Sequence, residues 1–295
     1  VVTTTMEHNA VARSLYELQQ RGVEVVKVGA DGEGRVRLED IQQVCSQPTR
    51  LVVLSHCSNV TGTVQPIETI GPWCRERGIT FMVDGAQSAG VFPIDVEVMA
   101  IDLLAVPGHK SLFGPQGSGF LYVNEKLQLK PSKYGGTGTF SSQLKQPEQM
   151  PEHLECGTLN TPALVALTAG IRYVVQEGMD RIRLHEQSLI NRLRKGLSYL
   201  AGVVLYGPCN AEGGVLSFTV DGIDSAEVGF LLDQQYQIAV RIGLHCAPDA
   251  HHTIGTFPRG TIRVSPGYFN TRADVDHLLT AMTDIINEHQ NEISD

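Results

Sequence analysis

The stretch GHK, residues 108–110, follows directly after the apolar run LLAV and stands before a glycine-rich turn, GPQGSG. Lysine is seldom buried without a partner, so an amine at the end of a buried strand needs a reason. A lysine that is partly desolvated among polar groups has a lowered pKa and can form a Schiff base with a carbonyl compound. Lys110 is therefore the first candidate for catalysis. The glycines behind it lack the spacing of a dinucleotide-binding loop and indicate a tight turn instead.

Three other apolar runs also end in polar residues. EHN follows one run at residues 7–9, SHCSN ends another at residues 55–59, and DGAQ follows a third at residues 84–87. Taken singly, each of these residues is more often an ordinary loop residue than a catalytic one. Their shared position after strands favours a common site.

These runs alternate with helical patterns over the first half of the chain. Strands are predicted at residues 1–5, 23–28, 51–55, 79–83, 103–106 and 119–123, and helices at residues 10–20, 38–45 and 67–77. Continuous apolar strands with helices between them indicate an α/β fold with a mostly parallel sheet. Ligands of such sheets bind at the carboxyl ends of the strands, which is where the polar residues lie.

The second half has a different pattern. A loop rich in Gly, Ser, Lys and Gln at residues 126–151 precedes a small α+β region. Helices are predicted there at residues 162–177, 179–200, 225–235 and 271–288, and strands at residues 203–206, 214–220, 238–241 and 261–265. We expect a large cofactor-binding domain at residues 1–165, followed by connecting helices and a small C-terminal domain at residues 166–295.

Composition and charge narrow the function classes. The 295 residues are 42% hydrophobic and 19% charged, with a net charge of −9, which argues against a nucleic acid as the main partner. No segment reads as a membrane-spanning helix or a signal peptide. The six cysteines are scattered without CxxC pairs, so we expect a reducing, cytoplasmic location and no membrane partner.

If the carbonyl partner of Lys110 is pyridoxal phosphate, the protein should supply further groups that contact it. Its pyridine nitrogen needs a carboxylate partner so that the ring can act as an electron sink, and Asp84 is suitably placed. His8 is a candidate for stacking on the ring, and Gln87 or Asn59 for donating to the ring hydroxyl. His109 is a candidate phosphate ligand. For His8 alone, the simpler interpretation is a loop residue that caps the following helix.

Seven motifs in order resemble the class V aminotransferase-like enzymes, and most closely the cysteine desulfurase and selenocysteine lyase group. They are MEHNAV, SHCSNVTG, VDGAQSAG, GHKSLFGPQGSGFLYV, GTLNT, VRIGLHCA and RVSPGYFNT, and they span nearly the whole chain. The resemblance implies the fold of the type I pyridoxal-phosphate-dependent transferases, a homodimer, and a role in sulfur metabolism such as iron–sulfur cluster assembly.

The resemblance also implies roles for individual residues. Lys110 would carry the cofactor, while Asp84, His8, Asn59, Gln87 and His109 would contact it. Thr158 resembles the residue that reaches the phosphate from the neighbouring subunit. Arg263 resembles the arginine that binds the substrate carboxylate, a task suited to a bidentate guanidinium. Arg241 and Asn59 are further candidates for substrate binding.

Cys246 matches the catalytic cysteine of this group. The implied reaction frees the Lys110 amine to remove the Cα proton of cysteine, and the Cys246 thiolate then attacks the substrate sulfur. Alanine leaves and a persulfide remains on Cys246, for transfer to a sulfur-acceptor protein. His245 or Arg241 would promote the thiolate. A metal site formed by Cys246, His251 and His252 is disfavoured, because zinc sites usually have paired ligands at both ends.

Two features depart from the family pattern. The chain begins in a strand without Met, so we expect a truncated chain that lacks a Gly-Thr-Thr-like phosphate loop. Pro107 stands where these enzymes often have a phosphate-binding Ser. Three alternatives therefore stay open: selenocysteine as the substrate, another class V reaction such as C–S lysis or transamination, and a cofactor-poor, non-catalytic fragment.

Overall fold

A six-stranded sheet organises the first half of the chain. The structure is a computed structural model that describes residues 1–45 and 49–294, with side chains up to residue 291. The strands are β1 (Val2–Thr4), β2 (Val26–Val28), β3 (Leu51–Ser55), β4 (Thr80–Asp84), β5 (Leu103–Pro107) and β6 (Gly119–Val123), in the order β2-β1-β3-β4-β5-β6. The first five are parallel and β6 is antiparallel to β5. The predicted α/β fold with a mostly parallel sheet is confirmed.

Helices α1 (Asn9–Gln20), α2 (Leu38–Val44) and α3 (Ile67–Glu76) pack on this sheet. The centre of the core is formed by side chains that are almost wholly buried, among them Leu54, Ile67, Ile70 and Phe81. Because both faces of the sheet are covered, the free polar groups of the central strands are confined to the strand ends.

A second sheet, antiparallel throughout, forms in the second half. Its strands are β7 (Val203–Tyr206), β8 (Leu216–Val220), β9 (Arg241–Gly243) and β10 (Thr261–Val264), in the order β7-β8-β10-β9. The helices are α4 (Thr161–Glu177), α5 (Met179–Leu197), α6 (Ser225–Tyr236), α7 (Pro248–Thr253) and α8 (Arg272–Ser294). Helices α5, α6 and α8 bury a core against this sheet that includes Leu193, Phe218, Leu232, Ile262 and Met282. The division of the chain at residue 165 stays a prediction.

The sequence-based bounds differ from the structure in two places near the site. The strand predicted at 238–241 is wrong in position, since β9 runs from Arg241 to Gly243. Helix α7 was not predicted, although Pro248 occupies its first turn, where proline is favoured. For His251 and His252 the sequence had suggested only a metal site, which was disfavoured.

The two halves interlock beside the carboxyl ends of the first sheet. The Ser217 hydroxyl donates to the Val60 carbonyl over 2.6 Å, and the Gly213 amide donates to the Gly62 carbonyl over 2.8 Å. The loop after β3 therefore has β8 and the segment before it as its support. No helix within residues 1–45 and 49–294 is long and apolar enough to cross a bilayer.

Candidate active site

The turn that carries Lys110 is formed by backbone contacts that leave no room for side chains. The Gly108 amide donates to the Ser118 carbonyl, and the Gly114 amide to the Gly108 carbonyl, both over 2.8 Å. A Cβ on Gly108 would lie 2.3 Å from Ser118 Oγ and 2.9 Å from Leu167 Cδ1. A Cβ on Gly114, the first residue of the GPQGSG stretch, would lie 2.9 Å from the Gly108 carbonyl, and this close backbone approach favours glycine and supports the interpretation of the stretch as a structural turn.

The Lys110 amine is half-buried and lines a cleft with His8, Asn59, Asp84 and Gln87. Burial lowers the pKa of Lys110, and the charges of Arg263 and Arg241 lower it further, whereas the Asp84 carboxylate opposes them. An amine with a lowered pKa is more often unprotonated and nucleophilic. The cleft therefore favours the chemistry predicted for Lys110.

Asp84 is the last residue of β4 and is held from two sides. Its Oδ1 accepts a hydrogen bond of 2.9 Å from the Ala86 amide, and Ser55 Oγ approaches its Oδ2 at 3.4 Å. Strand register explains the second contact, because Ser55 and Asp84 are paired residues of β3 and β4. The carboxylate faces the cleft in a fixed orientation.

His8 caps the following helix, the simpler of its two sequence-based interpretations, and its stacking on the cofactor ring stays a prediction. Its Nδ1 accepts a hydrogen bond of 3.1 Å from the Ala10 amide and so caps α1, which leaves the proton on Nε2. The same ring lines the cleft with Lys110. Burial, followed by the charge of Lys110, lowers the pKa of His8. A neutral, fixed ring is suited to stacking.

Asn59 connects the first sheet to the segment around Cys246. Its side-chain amide donates to the His245 carbonyl over 2.7 Å, and its own carbonyl accepts from Arg263 Nη1 over 2.9 Å. Asn59 is buried, but it also lines the cleft. In the structure it positions two candidate catalytic segments at once.

Cys246 lies in a turn, residues 244–247, that is held in an unusual conformation. His245 and Cys246 are consecutive residues with φ of 49° and 60°, the left-handed region that non-glycine residues rarely adopt. Hydrogen bonds fix both carbonyls: the one from Asn59 to His245, and one of 2.7 Å from the Asn9 amide to Cys246. Arg241 Nη2 lies 3.2 Å from the Cys246 sulfur. We call this segment the Cys246 turn.

Two arginines stand side by side next to this turn. Arg263 of β10 and Arg241 of β9 are paired in register, and Arg263 also lines a second part of the cleft, about 380 Å³ in volume, together with Lys110 and Gln87. The Nε of Arg263 is buried without a hydrogen-bond partner. Burial and the neighbouring Arg241 lower the pKa of Arg263. Adjacent cations with a free donor are suited to binding an anionic group such as a carboxylate.

Two predicted phosphate contacts lie apart from the cleft of this chain. His109 and Thr158 are both exposed, and neither belongs to the residues that line the cleft around Lys110. Thr158 was expected to serve a neighbouring subunit. Both assignments stay predictions.

The sequence reasoning missed two buried carboxyl groups. Glu7 is 2% exposed, and burial raises its pKa to about 7. Glu186 of α5 lies in the wall of the second part of the cleft, and burial alone raises its pKa to about 7 as well. Glu7 could have been found, because it lies three residues after the end of β1 and directly precedes His8. Nothing in the helical pattern around Glu186 marks it.

The two histidines that follow the Cys246 turn, His251 and His252, have partners within the protein. No group of three or more His, Cys, Asp or Glu side chains suited to a metal occurs among the residues that the structure describes. His251 Nδ1 instead pairs with Thr256 Oγ1 at 2.6 Å, and the His252 ring stacks on Phe257 at 3.8 Å.

A family model of the class V aminotransferases matches residues 1–278. The chain belongs to this family. It is 35% identical over 291 residues to a probable cysteine desulfurase of Methanothermobacter thermautotrophicus, a match that covers 97% of this chain and 72% of the relative. A cysteine desulfurase of Salmonella agona is 33% identical, with 97% of this chain and 70% of the relative covered.

Solved structures agree with the class V assignment. The apo cysteine desulfurase of Thermococcus onnurineus superimposes with a TM-score of 0.91 at 34% identity, over 97% of this chain and 72% of the other. The cysteine desulfurase CsdA of Escherichia coli has a TM-score of 0.88 at 29% identity, with 97% and 71% covered. The chain thus spans somewhat over two thirds of the length of these relatives.

Class V enzymes generally use pyridoxal phosphate, and the residues of the cleft fit its ring. The cleft combines an amine with a lowered pKa, a fixed carboxylate and a neutral imidazole, in Lys110, Asp84 and His8. These are a nucleophile for the aldehyde, a partner for the pyridine nitrogen and a stacking surface. The unpartnered Nε of Arg263 fits a substrate carboxylate next to them.

Proposed function

We propose that the chain is a pyridoxal-phosphate-dependent cysteine desulfurase, which converts L-cysteine to L-alanine and leaves a persulfide on Cys246. The observation that carries the proposal is the meeting of two sets of groups at one cleft. Lys110, Asp84 and His8 come from the ends of the first sheet, and Arg263 reaches the same cleft from β10, beside Arg241 and the Cys246 sulfur.

Pyridoxal phosphate, held by Lys110, Asp84 and His8, supplies an electron sink that makes the Cα proton of the amino acid acidic. Lys110 is the proposed base for that proton, because burial lowers the pKa of its amine and so increases the share of the unprotonated form that can accept a proton. Asp84 holds its orientation through the Ala86 amide. Gln87 and Asn59, which line the same cleft, are the proposed donors to the cofactor and substrate.

Arg263 is the proposed ligand of the substrate carboxylate, with Arg241 next to it. The contact between Arg263 Nη1 and the Asn59 carbonyl fixes one edge of the guanidinium, and the free Nε lies on another edge. A carboxylate bound there would neutralise part of the repulsion between the two arginines. This would raise affinity for an amino acid over an amine without a carboxylate.

Cys246 is the proposed sulfur acceptor. Arg241 Nη2, at 3.2 Å from Sγ, stabilises the thiolate, which is the nucleophilic form. The thiolate attacks the substrate sulfur, an S–S bond forms and the Cβ–S bond breaks. The electron pair of the broken bond remains with the carbon skeleton, which takes a proton and leaves as alanine, so no external oxidant or reductant is needed.

The finer assignments follow from the same proposal. Thr158 and His109 are exposed and are proposed to bind phosphate in a homodimer, Thr158 across the subunit boundary. A sulfur-acceptor protein would take the persulfide in a reducing, cytoplasmic compartment, for iron–sulfur cluster assembly among other uses. Selenocysteine is the alternative substrate, since the same attack on selenium requires no change in the protein groups.

The test is to incubate the chain with pyridoxal phosphate and L-cysteine and to measure alanine together with the mass of the Cys246 peptide. We expect alanine to form and the peptide to gain one sulfur atom. Cys246→Ser should lose both signals and still bind the cofactor. Cys209→Ser is the matched control, because Cys209 is exposed and outside the cleft, and it should retain both.

Alanine production that persists in Cys246→Ser would overturn the persulfide reaction. Pyruvate and sulfide formed independently of Cys246 would indicate a C–S lyase, and transfer of the amino group to a keto acid an aminotransferase. A chain that gains no visible absorbance dependent on Lys110 would be the non-catalytic alternative.

A further inference from the structure

A row of hydrogen-bonded polar side chains crosses the ends of three neighbouring strands. Glu7 follows β1, Ser55 ends β3 and Asp84 ends β4, and these strands are adjacent in the sheet. Glu7 Oε2 accepts hydrogen bonds of 2.9 Å from both the Ser55 amide and the Ser55 hydroxyl. The same hydroxyl lies 3.4 Å from Asp84 Oδ2. Glu7 Oε1 is closed off by the Thr4 hydroxyl at 2.6 Å.

The Ser55 hydroxyl has one proton to donate and two carboxyl groups to receive it. When Glu7 is ionised, the shorter contact favours donation to Glu7, and Asp84 then lacks this donor. When Glu7 is protonated on Oε2, it can donate to Ser55 Oγ, and the Ser55 proton becomes free to point at Asp84. The protonation state of Glu7 therefore decides which carboxylate Ser55 serves.

We propose that Glu7 is a positioning residue whose proton directs the Ser55 hydroxyl towards Asp84 and so tunes the carboxylate that faces the pyridine nitrogen of the cofactor. This inference rests on the proposed function for its catalytic meaning. The coupling among Glu7, Ser55 and Asp84 is a property of this chain with or without the cofactor.

The surroundings of Glu7 place its titration in the useful range. Burial raises the pKa of Glu7 to about 7, the Thr4 and Ser55 hydrogen bonds lower it in part, and the negative charge of Asp84 raises it. Two other titratable groups lie near Glu7, Ser55 and Asp84. They are His8, which is adjacent to Glu7 in sequence, and Lys110, which lines the same cleft as Asp84. The pKa of a buried carboxyl group without such neighbours would not depend on any of these groups.

The first experiment follows the glutamate carboxyl carbons by NMR in the cofactor-free chain as the pH is varied. We expect two glutamate resonances with midpoints near 7, of which one, that of Glu7, disappears in Glu7→Gln. In Asp84→Asn the Glu7 midpoint should fall by roughly half to one pH unit, because a neighbouring negative charge has been removed. Ser55→Ala should also move it, because Glu7 loses a hydrogen bond.

Glu186 provides a matched internal control. It is also buried with a pKa of about 7, but burial is the sole cause, so its midpoint should stay unchanged in Asp84→Asn. A Glu7 midpoint that stays fixed in Asp84→Asn, or one that moves no more than that of Glu186, would refute the coupling.

The second experiment measures the visible absorbance of bound pyridoxal phosphate against pH. We expect a step near pH 7 in the wild-type chain that is absent in Glu7→Gln and in Ser55→Ala, with the cofactor still bound in both variants. A step that survives in Glu7→Gln would overturn the link to the cofactor. If no cofactor binds at all, the proposed function fails, and the NMR titration still decides the coupling.

Discussion

Two regions meet at the cleft, and they are built in opposite ways. The polar ends of β3, β4 and β5 take their positions from the register of parallel strands, so neighbouring residues come together almost automatically. The Cys246 turn is left-handed at two consecutive residues and is held by contacts to Asn59, Asn9 and Arg241. The strand ends depend on the regular hydrogen bonding of the sheet, whereas the Cys246 turn depends on a few hydrogen bonds between residues far apart in the chain.

Under the proposed function, this difference in construction would separate cofactor chemistry, at the strand ends, from sulfur chemistry, at the Cys246 turn. Changes at the strand ends should affect everything that follows cofactor binding, whereas changes at the Cys246 turn should affect only sulfur transfer. Lys110→Ala, Arg263→Lys and Thr261→Val test that separation, and Glu186→Gln tests the wall of the cleft in which the two regions meet.

Lys110→Ala should have the largest effect. Removal of the amine abolishes both attachment of the cofactor and removal of the Cα proton, so turnover should fall by roughly 10²–10⁴-fold or more. Cofactor absorbance and alanine production are the measurements. In contrast to Cys246→Ser, both should be lost together, and retention of either would break the separation.

Arg263→Lys should act at the junction of the two regions. An ammonium cannot reproduce the forked contact with a carboxylate, so kcat/KM for cysteine should fall by roughly 10–100-fold, as expected for a hydrogen bond to a charged group. Steady-state kinetics should place the loss mainly in KM. Unchanged KM would remove Arg263 from substrate binding.

Glu186→Gln tests whether the buried carboxyl group in the wall of the cleft makes the free energy of unfolding depend on pH. The pKa of Glu186 is raised in the folded chain to about 7 from an ordinary 4.5, so its contribution to stability is complete below about pH 4.5 and is lost as the pH rises through 7. The variant should therefore gain roughly 2 kcal/mol relative to wild type between pH 5 and pH 8. Urea unfolding at the two pH values measures it. A difference independent of pH would contradict the raised pKa.

Thr261→Val should have the smallest effect on stability and the most local effect on function. Thr261 Oγ1 lies 2.9 Å from His245 Nε2, and both residues are buried. The loss should cost roughly 1 kcal/mol and slow persulfide formation, with cofactor absorbance unchanged. A variant that loses cofactor absorbance as well would show that the Cys246 turn and the strand ends are not separable.

The strand-end residues could be predicted because apolar runs and parallel topology fix them from local sequence. Ser55 and Asp84 pair by register alone, and Lys110 follows a strand that the sequence marks clearly. The Cys246 turn could not be predicted in the same way. The left-handed backbone at His245 and the anchor from Asn59 depend on residues 186 positions apart, and no short pattern in the sequence records such contacts.

The buried carboxyl groups illustrate a further limit. Glu7 belongs to the EHN stretch singled out in the sequence, but its hydrogen bonds to Ser55, 48 residues away in the chain, do not follow from its sequence neighbours. The cofactor contact expected of Asn59 stays a prediction, and the structure adds a hydrogen bond from its amide to the His245 carbonyl. The residue type of Asn59 therefore indicated a polar role at the site, but the sequence did not indicate its hydrogen-bond partner.

The packing around the Lys110 turn affects the order in which the chain folds during synthesis. Leu167 of α4 packs against Gly108 and Gly114, and a Cβ on Gly170 would lie 2.2 Å from the Leu112 carbonyl. The turn that carries Lys110 is therefore completed by a helix that is synthesised some sixty residues later. Because chains fold progressively from the amino terminus during synthesis, the nascent chain has a sheet before it has a finished lysine turn.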